Sequence, residues 1–231
     1  MSSFFLKLFA IIFMIIDHVG FIIFPSNFIL RAIGRLAFPL FAYQMAVGFS
    51  HTRNKEKHIL KLLAFAILCQ IPTLITYNIL QIDAGLNIIF TFVISLLIIY
   101  NIENIHIFDN SAENKKIAFK NILITLLVSF LLVFIGIYLN VDYTWYGILL
   151  TVFFYFTLKN KPLSMLGFTL LIILNSFISN NLMSILAYIS VLDCLFILAF
   201  NGKRGYKTSW LFYAIYFLHF FPLLLIKHIL I

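Results

Sequence analysis

The sequence predicts an all-α polytopic transmembrane helix bundle of about nine spans with a cytoplasmic N-terminus, and three observations support this fold class. Of 231 residues, 63% are hydrophobic and only 10% are charged, which is more apolar surface than a water-soluble core can bury. The apolar residues form runs near the 20 residues that a helix needs to cross the hydrocarbon layer. The basic residues lie in alternate connections between these runs, as expected of a membrane protein with a fixed orientation.

The predicted spans follow one another with little sequence left for a soluble domain, so residues 1–231 are interpreted as one transmembrane domain. The first run keeps Asp17 and His18 and is followed by no small-residue cleavage site, which favours a membrane helix over a signal peptide. The run at 144–158 is short, which leaves eight or ten crossings as alternatives. In chain order the predicted spans are 5–24, 28–50, 58–77, 86–102, 118–139, 144–158, 162–178, 182–200 and 209–229.

Lys and Arg residues predict which connections face the cytoplasm. They cluster after the second, fourth, sixth and eighth spans, whereas the alternating connections "FPSN", "NILQIDAG", "LNVDY" and "ISNN" contain none. The basic connections and the N-terminus are therefore predicted on the inner side of the bacterial cytoplasmic membrane, and the C-terminus outside. The net charge of +8 is then an orientation signal, and we expect no nucleic-acid partner. The connection at 101–120 is interpreted as a solvated loop on the inner surface.

Two further residue types within the predicted spans have structural interpretations. Cys69 and Cys194 have no implied disulfide partner and are interpreted as packing residues, and no metal site is expected. Pro39, Pro72 and Pro222 are expected to bend their helices or to open a backbone gap beside a cavity.

A short set of polar residues is predicted to lie within the membrane. A charged side chain there costs roughly 2.5–3.5 kcal/mol on insertion scales, so such residues usually face a cavity or one another. With a rise of about 1.5 Å per residue, His18 and Arg35 lie at about the same depth on neighbouring helices, in the outer half of the bilayer. We therefore predict one site formed by Asp17, His18 and Arg35, with Arg31 nearer its mouth. The full set is Asp17, His18, Arg31, Arg35, Asp193 and His219.

The residues of this predicted site suggest different roles. An ion pair between Asp17 and Arg35 neutralises both charges, while His18 points about 100° away from Asp17. Histidine is suited to accept a proton near neutral pH, which makes His18 a candidate general base. The alternative is that the ion pair serves packing alone and that His18 is a core histidine without a chemical role.

A second cluster is predicted at the inner face, in "NGKRGYK" at 201–207. Its glycines let backbone amides approach a ligand, and its cations supply charge for phosphate. The orientation rule alone also accounts for a basic loop here, so both interpretations stay open. The candidate ligand-binding residues are Gly202, Lys203, Arg204, Gly205 and Lys207.

Two more histidines are candidates for function. His51 lies at the inner face within "GFSHTRNKEKH", where a surface histidine at a helix end is the simpler interpretation. His219 lies about 15 Å into the last predicted helix, where a polar side chain is harder to attribute to the surface.

Several phrases of the sequence resemble the TraX family, membrane proteins named for one that N-acetylates the pilin subunit in conjugation. They occur in the family's order over nearly the whole chain, although Val47 stands where many members carry an acidic residue. The matching phrases are "IDHVG" at 16–20, "RAIGRLAFPLFAY" at 31–43, "GFSHTRNKEK" at 48–57, "LLAFAILCQIP" at 62–72, "NIIFTF" at 87–92, "DYTWYGILL" at 142–150, "NGKRG" at 201–205 and a closing helix with Tyr213, Tyr216 and His219.

The resemblance implies acyl transfer, most simply of acetyl from cytosolic acetyl-CoA as the co-substrate to a peptide amine or a glycan hydroxyl outside. On this interpretation the loop at 201–207 binds the CoA phosphates, and the pantetheine arm passes Tyr213 and His219. His18 then deprotonates the acceptor, with His51 as the rival base. Arg35, aligned by Asp17, orients the acceptor or stabilises the developing oxyanion.

Two other classes of function remain compatible with the sequence. Intramembrane Asp, His and Arg residues also mark proton relays, which keeps a small-molecule transporter or export component as an alternative. A non-catalytic assembly partner in a surface apparatus is the third class. Dependence on acetyl-CoA distinguishes the enzyme from both alternatives.

Overall fold

The computed structural model is a bundle of helices, and it describes residues 1–104, 112–207 and 209–230. The all-α class is confirmed, since these ranges contain helices and no β-strand. The central part of the predicted inner loop at 101–120 lies outside the described residues. The helices are α1 Ser3–Ile22, α2 Phe28–Gly34, α3 Ala37–Ser50, α4 Lys55–Leu80, α5 Ile88–Glu103, α6 Ala112–Tyr138, α7 Thr144–Thr157, α8 Lys161–Ser179, α9 Leu182–Leu186, α10 Asp193–Ala199, α11 Ser209–Leu218 and α12 Phe220–Leu230, with a 3₁₀ segment at Ala187–Leu192 between α9 and α10.

Seven helical segments in the described ranges are long and apolar enough to cross a membrane, which makes this a multi-pass membrane protein. Two predicted spans, 86–102 and 144–158, correspond to shorter apolar helices, α5 and α7. The long segments are Ser3–Ile22, Phe28–Ser50, Lys55–Leu80, Phe119–Tyr138, Lys161–Ser179, Leu182–Ala199 and Trp210–Leu230.

Prolines explain where two of the predicted spans are broken. Proline lacks an N–H, and its ring clashes with the carbonyl group four residues earlier in a helix. Arg35 stands four residues before Pro39 and Leu218 four residues before Pro222, and the helix is interrupted at both places. Pro72, by contrast, lies inside the uninterrupted α4. The expectations for Pro39 and Pro222 therefore correspond to breaks, and the expectation for Pro72 does not.

The span predicted at 182–200 is also not one regular helix. It begins as α9, narrows into the 3₁₀ segment Ala187–Leu192 and resumes as α10. Such a segment within a span is a recognised sign of local constraint. The change of geometry ends at Asp193, which is fully buried.

The centre of the bundle is formed by α5 and α7. The sequence of α5, "IIFTFVISLLII", is apolar on every side, as expected of a helix that is surrounded by other helices. The buried side chains of α7, which include Phe154, pack against α3, α5 and α8. The outer helix α6 instead exposes large apolar side chains, such as Phe130 and Phe134, in the manner of a lipid-facing surface.

The connections meet at the two ends of the bundle in the grouping that the charge pattern predicts. At the end that we call the basic face, the N-terminal segment pairs with the 201–207 loop, and the Lys161 ammonium group donates to the Phe200 carbonyl at 2.5 Å. At the opposite face, the Leu86 N–H donates to Asn140 O at 3.1 Å and the Asp142 N–H donates to Leu86 O at 2.9 Å. These bonds fix the connection before α5 against the connection before α7.

Helices α1 and α2 approach each other closely because of Gly34. A Cβ atom built at this position would lie 2.2 Å from the Cβ atom of Asp17, a distance that real structures do not permit. Gly20 plays the same part from α1, since its Cβ atom would lie 2.8 Å from that of Leu30. The small residues thus bring the α2 backbone against the part of α1 that carries Asp17.

We expect Gly34→Ala to destabilise the protein by about 1–3 kcal/mol, because the added methyl group overpacks the contact with Asp17. Gly48→Ala is the matched control, since a Cβ atom at that helical position meets nothing within 4 Å. Thermal unfolding of the purified protein in detergent measures both effects. Equal melting temperatures for the two variants would contradict this account of the α1–α2 contact.

Candidate functional site

Asp17 binds two arginines at once. Its Oδ2 atom accepts a hydrogen bond from Arg31 Nη1 at 2.6 Å, and its Oδ1 atom accepts one from Arg35 Nη2 at 2.7 Å. The side chains are only 11–15% exposed, so these are ion pairs in an environment of low polarity. The sequence indicated the pair with Arg35 but placed Arg31 nearer the mouth. The four-residue spacing of "RAIGR", which puts both arginines on one helical face, was the available signal.

The two guanidinium groups also contact aromatic faces. Arg31 lies 5.1 Å from the centroid of the Phe21 ring, and Arg35 lies 5.7 Å from that of Tyr143. One carboxylate balances only one of the two positive charges, and the negative charge of Asp142 acts on Arg35 from the connection before α7. The site therefore combines two cations and two anions contributed by three separate parts of the chain.

A cavity of about 240 Å³ opens at the opposite face, and Arg35 is part of its wall. Its other lining residues are mainly polar and uncharged, apart from Asp142. Together they make a pocket that offers hydrogen bonds and one guanidinium group to a polar ligand. The lining consists of Arg35, Asp142, Tyr143, Thr144, Tyr146, Asn175, Ser179, Asn181, Met183, Ser184 and Ala187.

The backbone at the edge of this cavity is strained. Tyr143 and Thr144 have φ angles of 59° and 42°, which places two successive non-glycine residues in the left-handed region. Such conformations persist where surrounding contacts enforce them and occur most often at functional sites. The enforcing contact here is the Tyr143 ring, which stacks on Phe38 with its centroid 3.9 Å away.

Burial raises the pKa of the Tyr143 phenol to about 12, although the nearby positive charge of Arg35 opposes this shift. The hydroxyl group consequently remains protonated at neutral pH and can donate a hydrogen bond into the cavity. Sequence reasoning did not select Tyr143 or Asp142, although both lie in the quoted phrase "DYTWYGILL".

Two buried residues, Tyr146 of the cavity lining and Asp193 whose charge acts on it, hold polar atoms with no hydrogen-bond partner within the described residues. They are the Tyr146 hydroxyl group and both carboxyl oxygens of Asp193. Asp193 was among the intramembrane polar residues named from the sequence, and it is 0% exposed. Buried polar atoms are nearly always satisfied in native proteins, so the Tyr146 hydroxyl group and the Asp193 carboxyl group are suited to bind water or a polar ligand.

His18 faces away from this cavity and towards the last helices. Its ring lies 4.7 Å from that of His219, centroid to centroid, and 5.0 Å from Phe220. The structure therefore divides the predicted three-residue site between two sides of α1: Asp17 with the arginines on one side, and His18 with His219 on the other. The two halves meet at adjacent residues and so lie at the same depth.

A row of aromatic residues on α11 leads from the basic face to this histidine pair. Tyr213, Tyr216 and His219 follow at three-residue intervals, and Phe65 of α4 packs on the two tyrosines at 4.9 and 6.1 Å. Tyr213 is 45% exposed whereas His219 is only 6% exposed. The row therefore runs from the surface into the interior of the bundle.

The 201–207 loop is held against the N-terminal segment by backbone hydrogen bonds. The Ser3 N–H donates to Lys203 O at 2.8 Å, and the Phe4 N–H donates to Arg204 O at 3.1 Å. Gly205 has a φ angle of 74° and packs so closely that a Cβ atom would lie 2.5 Å from Ser2 Oγ.

The cationic side chains of this loop project into solvent from an anchored backbone. Lys203, Arg204 and Lys207 are all exposed, and Gly202, with a φ angle of 75°, has open space around it. The positive charge of Lys7 on α1 acts on that of Arg204, so Lys7 extends the cluster. Sequence reasoning did not select Lys7 as a site residue.

His51 lies at the basic face, apart from the histidine pair. It ends α3, is exposed, and has its Nδ1 atom 2.8 Å from Val47 O. Sixteen residues separate it from Arg35 along α3 and the preceding turn, or about 24 Å at the rise of a helix. The structure thus places the two candidate bases at different depths. Among the described residues, no group of three or more His, Cys, Asp or Glu side chains is arranged to hold a metal ion.

These features define a class: a multi-pass helical membrane protein with a charged site inside the bundle and a basic loop at one face. The chain belongs to the TraX family, whose model, described as "TraX protein", matches residues 2–227. A "Probable fimbrial assembly protein FimC, serogroup H1" from Dichelobacter nodosus is 37% identical over 73 residues, which is 30% of this chain and 30% of that protein. The match therefore spans less than a third of the relative's length. No solved structure matches the chain.

We expect Asp17→Asn to lower the free energy of unfolding by about 3–5 kcal/mol, because it leaves two buried guanidinium groups without a carboxylate. Asp83→Asn, at an exposed position of the opposite face, should have no such effect. Adding Arg35→Gln to Asp17→Asn should recover part of the loss, since one unpaired cation is removed. Chemical unfolding in detergent provides the comparison, and a wild-type value for Asp17→Asn would refute the assignment.

Proposed function

We propose that this protein is a membrane acetyltransferase that uses acetyl-CoA from the basic face and modifies an acceptor that enters from the opposite face. The observation that carries the proposal is the aromatic row on α11, which connects an anchored basic loop to a buried histidine pair at the depth of the Asp17–arginine cluster. The family implies the same reaction. Acetyl-CoA supplies the activated acetyl group, and the protein supplies binding, orientation and proton transfer.

The basic loop fits the phosphate groups of this co-substrate. Lys203, Arg204 and Lys207 are exposed, and the backbone that carries them is bonded to the N-terminal segment, so their positions are restricted. Charge-assisted hydrogen bonds to phosphate are stronger than neutral ones. We infer that a long acyl-carrying arm bound at this loop extends inward along the aromatic row, past Tyr213 and Tyr216.

The histidine pair fits the role of base. The His18 Nδ1 atom lies 2.9 Å from the Met14 carbonyl, so this nitrogen carries the proton and Nε2 carries the lone pair. General base catalysis requires such a lone pair within reach of the acceptor proton, so on this proposal the reacting end of the acceptor extends beyond the cavity to the His18 side of α1. His51 remains the rival base, favoured by its position at the face where the co-substrate binds.

The cavity at the opposite face fits an acceptor that approaches from outside. Arg35 and the Tyr143 hydroxyl group offer hydrogen-bond donors, and Asp142 offers a carboxylate that attracts an amine. The family's implied reaction and the fimbrial assembly relative both favour a peptide amine of a pilus subunit over a glycan hydroxyl. The Asp17 carboxylate keeps Arg35 in place for this role or for stabilising the developing oxyanion.

A non-catalytic part in pilus assembly is the second candidate, because the relative is described as a probable assembly protein. This candidate predicts that pilus assembly in cells does not depend on the histidine pair. His18→Asn distinguishes the two candidates, since Asn can keep the donor to the Met14 carbonyl while removing the base.

The enzymatic proposal predicts acetyl transfer by the purified protein in liposomes, measured with radiolabelled acetyl-CoA and peptides with free or blocked N-termini. His18→Asn should lower kcat by roughly 10²–10⁴-fold, the usual contribution of a general base. Lys203→Gln combined with Arg204→Gln should raise the KM for acetyl-CoA roughly tenfold or more, with kcat little changed.

Lys159→Gln is the matched control, since it removes an exposed cation of the basic face outside the loop. Its KM should equal that of the wild type. His51→Asn reports on the rival base, and a larger loss of kcat than in His18→Asn would reassign the base. Failure of the folded wild-type protein to bind acetyl-CoA would overturn the proposal.

A further inference from the structure

The tautomers of His18 and His219 are set by their hydrogen bonds. His18 Nδ1 lies 2.9 Å from Met14 O, and His219 Nδ1 lies 2.6 Å from Tyr216 O. A carbonyl oxygen only accepts hydrogen bonds, so each Nδ1 atom carries a proton. Both neutral rings therefore have their lone pair on Nε2.

Within the described residues, the lone pair on His219 Nε2 accepts no hydrogen bond. Its Nε2 atom is buried and without a hydrogen-bond partner, in a side chain that is 6% exposed. The neighbouring ring is that of His18, with centroids 4.7 Å apart and planes inclined at 57°. Two imidazole rings this close can share one added proton, because the protonated nitrogen of one ring can donate to the lone pair of the other.

We propose that His18 and His219 act as one base, whose two Nε2 atoms share a single proton taken from the acceptor. This inference rests on the proposed function and assigns His219 a role in proton transfer in place of the contact with the pantetheine arm that the sequence suggested. The pair explains why a histidine stands at an otherwise apolar break in the last helix.

Every bond and proton in the proposed acetyl-transfer step is accounted for. An uncharged amine or hydroxyl group attacks the thioester carbonyl, a bond forms from its nitrogen or oxygen to the acetyl carbon, and the carbon–sulfur bond breaks. The acceptor proton passes to the histidine pair and then to the departing thiolate. The pair returns to its neutral state, and no further reactant is required.

The side chains around the histidine pair shield a bound proton from water. Phe220 contacts both rings, at 5.0 Å from His18 and 4.1 Å from His219, and so limits access of water. The break before Pro222 places His219 at the end of α11, where its Nδ1 atom reaches the Tyr216 carbonyl of the preceding turn.

The charged and titratable groups around the pair come from several elements. The charges that act on His18 are those of Asp17 of α1, Arg31 of α2 and Arg35 of the following turn. Phenol groups of Tyr77 on α4 and Tyr216 on α11 lie on the same side, and Asp142 acts on both phenols from the connection before α7. The aspartates and arginines balance, so the shared proton is the one net charge that the step adds.

Titration of the purified protein by ¹⁵N NMR, with histidine labelled in the ring, tests the pair without reference to activity. We expect the Nε2 signals of His18 and His219 to change together and to report uptake of one proton by the two rings. Assignment uses His219→Asn, in which the amide group replaces the Nδ1 donor and the Nε2 atom is lost. Independent uptake of one full proton by each ring in the wild type would overturn the proposal.

Kinetics of the same variants test the role in the reaction. His219→Asn should lower kcat roughly 10- to 100-fold, within the range for loss of part of a general base, with the KM for acetyl-CoA unchanged. The acid limb of the rate profile should move to lower pH, because one ring holds a proton less tightly than two that share it. His228→Asn, at an exposed position of α12, should match the wild type.

The outcomes separate the possible roles of His219. A raised KM for acetyl-CoA with unchanged kcat and an unchanged acid limb would make it a contact for the co-substrate. Unchanged kinetics would make it a packing residue. If the wild-type protein transfers no acetyl group but the NMR titration shows the shared proton, the proposed function fails while the proton-binding pair stands.

Discussion

The bidentate grip of Asp17 on Arg31 and Arg35 is the interaction on which the rest of this structure depends. It brings two guanidinium groups into a region where an unpaired charge is costly, and it does so at a contact that Gly34 makes possible. The carboxylate also sets the relation of α1 to α2, because its two oxygens are bound from one helical face. Both halves of the candidate site are consequently positioned by the same turn of α1, which carries Asp17 and His18.

Asp17 and His18 are adjacent residues of α1 whose side chains point to different sides of the helix. They therefore lie in two different environments at the same depth in the membrane. Asp17 binds Arg35, which lines the cavity at the opposite face, whereas His18 packs among the rings of His219 and Phe220. On the proposed function, groups that bind an acceptor and groups that transfer protons can thus be varied independently.

Composition and charge pattern predicted the helical class, the positions of the spans and the grouping of the connections, because lipid imposes these constraints on every segment separately. The ion pair of Asp17 with Arg35 was also predictable from depth on two helices that a short loop joins. The division of the site was not, since it depends on rotation of α1 about its axis. That rotation is fixed by packing partners, here Gly34 on one side and Phe220 on the other, which are distant in sequence.

Other features could not be predicted from the sequence because they depend on local geometry. The breaks that begin after Gly34 and Leu218 follow from Pro39 and Pro222, by a rule that gives a bend or a break and does not say which. Tyr143 and Asp142 belong to a connection whose φ angles are unfavourable for the residues present, so propensity argues against the conformation that forms. The row of Tyr213, Tyr216 and His219 was visible as spacing, but its course became defined only with Phe65 beside it.

The shortness of the two central helices, α5 and α7, affects how thick the protein is between the two surfaces of the membrane. At the usual rise per residue, α5 and α7 are about 24 and 21 Å long, against a hydrocarbon thickness of about 30 Å. Helices of this length are shorter than the hydrocarbon layer that the surrounding helices cross. On the proposed function, the co-substrate and the acceptor therefore meet across a central layer of protein that is thinner than the bilayer itself.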